Sequence, residues 1–207
     1  MTTFYWFYLI SLIPSIVLHE VSHGWVADFF GDHTAREQHR LTLNPVRHLD
    51  PVGSVLMPLV LVLLHFPAFG YAKPVPVNPR RLRNPRKQML WVALAGPAVN
   101  IVLSAIGFVA TEFAIHSSLS YNVELFFIAF GLCNLVLAVF NLLPIPPLDG
   151  SAIIERFIPN RHMPRYYNLR ARALPFFFII LFVDFQFLHV GTNLLPDLEN
   201  WWLSLLR

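Results

Sequence analysis

Residues 4–23 read FYWFYLISLIPSIVLHEVSH, an uncharged apolar run that ends in two histidines and a glutamate. A helix of about 20 apolar residues crosses a bilayer core of about 30 Å, so this run is long enough to span a membrane. On such a helix His19 and His23 lie one turn apart on the same face. Two imidazoles at this spacing can bind one Zn²⁺, and Glu20 can act as the base for an attacking water.

The position of this motif inside an apolar run strengthens the prediction of a metal site. A charged side chain in the middle of a membrane helix costs about 2.5–3.5 kcal/mol on insertion scales, and ionisable residues there usually have a function. A divalent cation would give His19, Glu20 and His23 a shared partner. The alternative is a helix end that lies in the membrane interface, with Asp28 and His33 continuing the polar character.

Further apolar runs define the class of protein. The chain of 207 residues is 56% hydrophobic and 13% charged, whereas soluble domains carry about 25% charged residues. The pattern predicts an all-α membrane protein, a polytopic bundle of about four to six transmembrane helices that forms a single domain over residues 1–207. The four clearest spans are predicted at residues 4–30, 88–116, 123–148 and 173–195.

Basic residues in the connections predict the orientation. Lysine and arginine occur in residues 31–51, 67–87 and 149–172 but not in 117–122, so the positive-inside rule places the basic loops in the cytoplasm and 117–122 outside. This rule accounts for the net charge of +3 without nucleic acid as a partner. The apolar segment 52–66 is short for a span, and the charge pattern favours re-entry into the membrane over crossing.

Residues 71–79, YAKPVPVNP, contain alternating prolines that forbid a helix. They predict either a short extended edge segment, which could pair with another extended chain, or a proline-stiffened linker.

A third metal ligand is predicted at the end of the third span, in the sequence NLLPIPPLDG of residues 141–150. The prolines break the helix while the flanking residues stay apolar, as expected around a cavity lined by protein. Asp149 follows the break, and an aspartate oxygen is a suitable zinc ligand. The other reading is that Asp149 caps a helix that begins at Ser151.

Asn100 is the one strongly polar side chain in the middle of the second predicted span, within the sequence AGPAVN. A buried amide needs hydrogen-bond partners, and Gly96 permits close approach of a neighbouring helix. Asn100 therefore either joins two helices or donates to substrate backbone or a developing oxyanion.

These three motifs together resemble the site-2 protease family of intramembrane zinc metalloproteases, and in particular its compact bacterial branch, which lacks PDZ and CBS domains. The resemblance implies one zinc ion bound by His19, His23 and Asp149, with Glu20 as the catalytic base that activates the water. It also implies that Asn100 lies beside the scissile peptide. The similar segment containing His48 and Asp50 contributes either to the site or to the stability of its loop.

The resemblance further implies a zinc metalloendopeptidase of the bacterial inner membrane, with its active site toward the cytoplasm. Its expected partners are membrane lipid and single-span membrane proteins or signal-peptide remnants, which it would cleave in regulated intramembrane proteolysis. Two alternatives are a membrane metal-binding protein without turnover and a small transporter that uses Asp184. Loss of cleavage with retention of zinc in a Glu20→Gln variant would distinguish a protease from both.

Overall fold

The computed structural model describes residues 2–56, 60, 63, 72–183 and 190–206. Within these residues the fold is helical and contains no strand, which confirms the predicted fold class of an all-α membrane protein. The helices are α1 (Thr2–Phe29), α2 (Thr34–Glu37), α3 (Pro85–His116), α4 (Tyr121–Leu142), α5 (Ser151–Phe157), α6 (Met163–Ala171), α7 (Ala173–Val183) and α8 (Val190–Ser204).

Three of the described helices, α1, α3 and α4, are long and apolar enough to cross a membrane. The prediction of the third span was too long at its C-terminal end, because α4 ends at Leu142 rather than at residue 148. Pro144 explains the difference: a proline disfavours helical backbone at the residue before it and donates no hydrogen bond. The predicted fourth span is described only as α7 and the start of α8, and Asp184 lies outside the described residues.

Two predicted segments lie between α2 and α3. Of 52–66, only the start is described as regular structure, a π-helical turn at Pro51–Leu56, so the choice between spanning and re-entry lies outside the described residues. Residues 72–78 form neither helix nor strand, and a 3₁₀ turn follows at Pro79–Arg81. The side chain of Asn78 accepts a hydrogen bond from the Arg80 N–H and begins this turn, as asparagine before proline often does.

Contacts divide the chain into two compact units, residues 13–96 and residues 1–12 with 97–207. In the first unit Val17, Val21 and Ala27 of α1 are buried. A single domain over 1–207 stays a prediction.

In the second unit α3 and α4 approach closely through glycines. A Cβ added to Gly107 would lie 2.6 Å from the Cα of Gly131. Such close approach of small residues is typical of helix pairs in membranes. The indole of Trp202 on α8 also packs against Gly131, and its N–H donates to the Ser104 hydroxyl at 3.2 Å.

The helices after the third span are held together by a buried carboxylate. Glu155 of α5 accepts hydrogen bonds from the Tyr167 hydroxyl at 2.7 Å and from Arg170 at 2.9 Å, both on α6. Burial, together with the hydrogen bond to Glu155 and the charge of that carboxylate, raises the pKa of Tyr167 to about 12. The phenol therefore stays protonated and remains a donor to Glu155, which fixes α5 immediately after Asp149 and Gly150.

Candidate metal centre

His19 and His23 lie side by side on α1, as their spacing predicted. Their ring centroids are 4.8 Å apart, with the ring planes at 86°. Both residues are buried, with 6% and 8% of their surface exposed. Two buried imidazoles this close can serve one small cation.

Hydrogen bonding fixes the tautomer of His23. Its Nδ1 lies 2.7 Å from the carbonyl oxygen of Val92 on α3. Because a carbonyl only accepts, Nδ1 must carry the proton, so Nε2 is the ring nitrogen with the lone pair that a metal ion needs. A histidine ligand usually donates its second ring nitrogen in this way, so the donor set fits a zinc ion.

Gly96 provides the space in which the two rings lie. A Cβ added there would lie 2.5 Å from Cε1 and Nε2 of His19 and 2.6 Å from Cε1 of His23. Any larger residue would displace the rings. The prediction that Gly96 allows close approach is therefore correct, and the groups that approach are the imidazoles themselves.

Glu20 points toward the segment 73–78. Its Oε2 accepts a hydrogen bond from the backbone N–H of Val75 at 3.0 Å. Other donors of the predicted edge are also in use: the Lys73 N–H binds the His48 carbonyl at 2.9 Å, and the Asn78 N–H binds Asp32. The segment is thus bonded to its own chain along most of its length, rather than presenting a free edge.

Asp149 lies in the turn after α4. The N–H of Gly150 donates to the carbonyl of Asn141 at 2.7 Å and closes this turn. A Cβ on Gly150 would lie 2.2 Å from the carbonyl oxygen of Leu142, so the turn requires glycine. Helix α5 begins with Gly150 at its N-cap position.

His19 and His23 belong to one compact unit and Asp149 to the other, so the binding of one metal ion by all three residues stays a prediction. Two imidazoles and a carboxylate with a further position for water are a donor set typical of catalytic zinc.

Asn100 makes a contact between helices. It is fully buried, and its Nδ2 donates to Oδ1 of Asn134 on α4 at 2.8 Å. Asn134 in turn donates to the carbonyl of Phe130 at 2.9 Å. The pair supports the structural reading of Asn100, while a role beside the scissile peptide stays a prediction. Asn134 was missed, although a strongly polar residue in the middle of an adjacent apolar run was a sufficient signal.

His48 and Asp50 both stabilise their loop. His48 is buried, and its Nε2 lies 2.9 Å from the carbonyl of Thr42, to which it donates. Asp50 Oδ1 accepts the N–H groups of Val52 at 3.0 Å and Gly53 at 2.7 Å, and so begins the turn at Pro51–Leu56.

Long apolar helices with a buried histidine pair and an adjacent glutamate define a membrane protein of the metal-dependent peptidase class. The model of peptidase family M50 matches residues 110–183. YwhC of Bacillus subtilis is 45% identical over 157 residues, which cover 73% of this chain and 68% of that protein. Rip2 of Mycobacterium tuberculosis (strain H37Rv) is 33% identical over 198 residues, covering 93% and 68%.

Both relatives carry the provisional name of zinc metalloprotease. The chain belongs to peptidase family M50, the site-2 protease family of zinc metalloproteases, as the motifs predicted. No solved structure matches the chain.

Proposed function

We propose that this protein hydrolyses peptide bonds of membrane-spanning substrates at a zinc site formed by His19, His23 and Asp149. The observation that carries the proposal is the arrangement on α1: a buried imidazole pair, with His23 oriented by the Val92 carbonyl, directly beside Glu20. A site that only stored metal would have no need of the adjacent carboxylate.

Glu20 supplies the acid–base chemistry. A bound zinc ion would polarise the scissile carbonyl and lower the pKa of a water. The Glu20 carboxylate accepts a proton from the attacking water and then gives it to the leaving amine. The Val92 carbonyl keeps the His23 ring in its ligand orientation throughout, because the bond to Nδ1 is independent of the substrate.

The substrates are single-span membrane proteins or signal-peptide remnants. A site on a membrane helix is reached most directly by chains that lie in the bilayer, and such a substrate must unwind locally to offer its carbonyls. These substrates identify the reaction as regulated intramembrane proteolysis.

The test compares the wild type with Glu20→Gln in proteoliposomes that contain a single-span reporter. Glutamine keeps the shape of the side chain but cannot accept the proton. We expect the variant to retain one zinc ion per chain and to lose cleavage by about 100-fold or more. Cleavage by the variant at the wild-type rate would exclude Glu20 as the base, and a wild type that never cleaves with zinc bound would exclude the proteolytic function.

We also propose that the site lies toward the cytoplasm of the inner membrane. The basic connections support this orientation through the positive-inside rule. Cys133 is buried and should not react with a membrane-impermeant maleimide. We expect this reagent, added outside, to label Ser117→Cys in intact cells. It should label Arg83→Cys only after permeabilisation. The reverse pattern would contradict the orientation.

A further inference from the structure

The general base is held by a backbone amide from a distant part of the chain. The Val75 N–H that binds Glu20 is 55 residues away in sequence. A hydrogen bond to a carboxylate is shorter and stronger than one between neutral groups, so it restricts the rotation of the side chain. Among the described residues this hydrogen bond occupies Oε2 alone, so the second oxygen can take a proton. Val75 therefore orients Glu20, and the carboxylate can still accept a proton.

Val75 packs closely against α1. It is only 6% exposed, and a Cβ added to Gly24 would lie 2.8 Å from Val75 Cγ1. Gly24 lies four residues after Glu20, on the same face of the helix. The absence of a side chain at Gly24 thus lets Val75 come close enough to reach Glu20.

A buried arginine forms hydrogen bonds to the first residues of the segment 73–78. Arg40, 8% exposed, donates from Nη2 to the carbonyls of Lys73 at 2.8 Å and Pro74 at 3.3 Å. These two peptide groups immediately precede Val75, so their position sets the position of its N–H. At the other end Asp32, fully buried, accepts the Asn78 N–H.

We propose that Arg40 is a positioning residue for the catalytic base. Its hydrogen bonds to the carbonyls of Lys73 and Pro74 place the Val75 N–H that orients Glu20. The inference rests on the proposed function, since it concerns the same base. The Nη2 group of this buried guanidinium binds two consecutive carbonyls, whereas its Nε is buried without a partner among the described residues. A displacement of about 1 Å in a catalytic group is enough to reduce turnover by about 100-fold.

The experiment uses the full-length protein in the proteoliposome assay, with kcat, KM and zinc content measured together. Arg40→Ala removes the hydrogen bonds to the carbonyls of Lys73 and Pro74. Replacement of Val75 by its α-hydroxy analogue removes only the backbone N–H. We expect each to lower kcat by at least about tenfold, with KM within about twofold and one zinc ion per chain. Arg47→Ala, a change at an exposed arginine of the same loop, should leave all three values at the wild-type level.

Chemical rescue separates positioning from general stability. Millimolar guanidinium should restore part of kcat to Arg40→Ala by binding the vacated carbonyls, and should do nothing for the α-hydroxy variant, whose arginine is intact. Arg40→Lys should lie between the wild type and alanine, because an ammonium group donates to carbonyls but lacks the planar fork.

Three results would overturn the proposal. One is an unchanged kcat in Arg40→Ala or in the α-hydroxy variant, and another is a raised kcat, which would mean that Val75 restrains Glu20. The third is rescue of both variants by guanidinium. If Arg40→Ala fails to fold, Arg40→Lys takes its place in this comparison. Failure of the proposed function is recognised separately, as a wild type that does not cleave or a Glu20→Gln variant that does.

Discussion

Gly96 shows how one residue of α3 controls the histidines of α1. The space that it leaves is filled by His19 and His23, whose ring atoms come as close as 2.5 Å to the position of a Cβ. Four residues earlier, the Val92 carbonyl holds His23. One face of α3 therefore supplies both the space for the rings and the hydrogen bond that selects a tautomer.

Gly96→Ala should weaken zinc binding more than it weakens the fold. The added methyl group must push the imidazoles out of their ligand positions, and disturbed support of a ligand typically costs about 10- to 100-fold in metal affinity. Competition with a chelator measures this loss. Gly107→Ala is the matched control, because its Cβ would meet the Gly131 backbone instead. That variant should unfold more readily yet bind zinc as the wild type does; equal zinc affinity in both would contradict the account.

At the scale of elements, α3 and α4 are joined by the amide pair of Asn100 and Asn134. Both are fully buried in helices long enough to cross a membrane. The two amides bind each other across the helix interface, although interhelical hydrogen bonds in membranes contribute on average only about 0.6 kcal/mol. The hydrogen bond between them therefore fixes the register of α3 against α4 more than it stabilises the fold.

A double-mutant cycle tests the role of Asn100. Asn134→Leu should destabilise the protein by about 1 kcal/mol, because it leaves the Asn100 amide with one partner fewer. Adding Asn100→Leu should recover part of that loss and keep kcat within a few-fold of the wild type. Unfolding in mild detergent and reporter cleavage are the measurements. If stability were recovered but kcat were about 100-fold lower, Asn100 would instead be a donor to the developing oxyanion.

For the whole molecule, the sequence predicts what depends on local spacing. The pairing of His19 with His23 follows from helix geometry, and the end of α4 follows from Pro144 once its effect on the preceding residue is considered. The contacts of Val92, Val75 and Arg40 join residues 69, 55 and 33 positions apart. No local pattern encodes such contacts. Arg40 in particular looked like an ordinary basic residue of a cytoplasmic loop, and only its burial reveals another role.

The central claim is that His19, His23 and Asp149 bind one catalytic zinc ion. X-ray absorption at the zinc edge of the purified protein measures this directly. We predict one zinc ion per chain, with two imidazole nitrogens at about 2.0–2.1 Å and oxygen ligands at about 2.0–2.2 Å. His23→Ala should lose one imidazole from this shell. A zinc shell without histidine, or one that His23→Ala leaves unchanged, would contradict the claim.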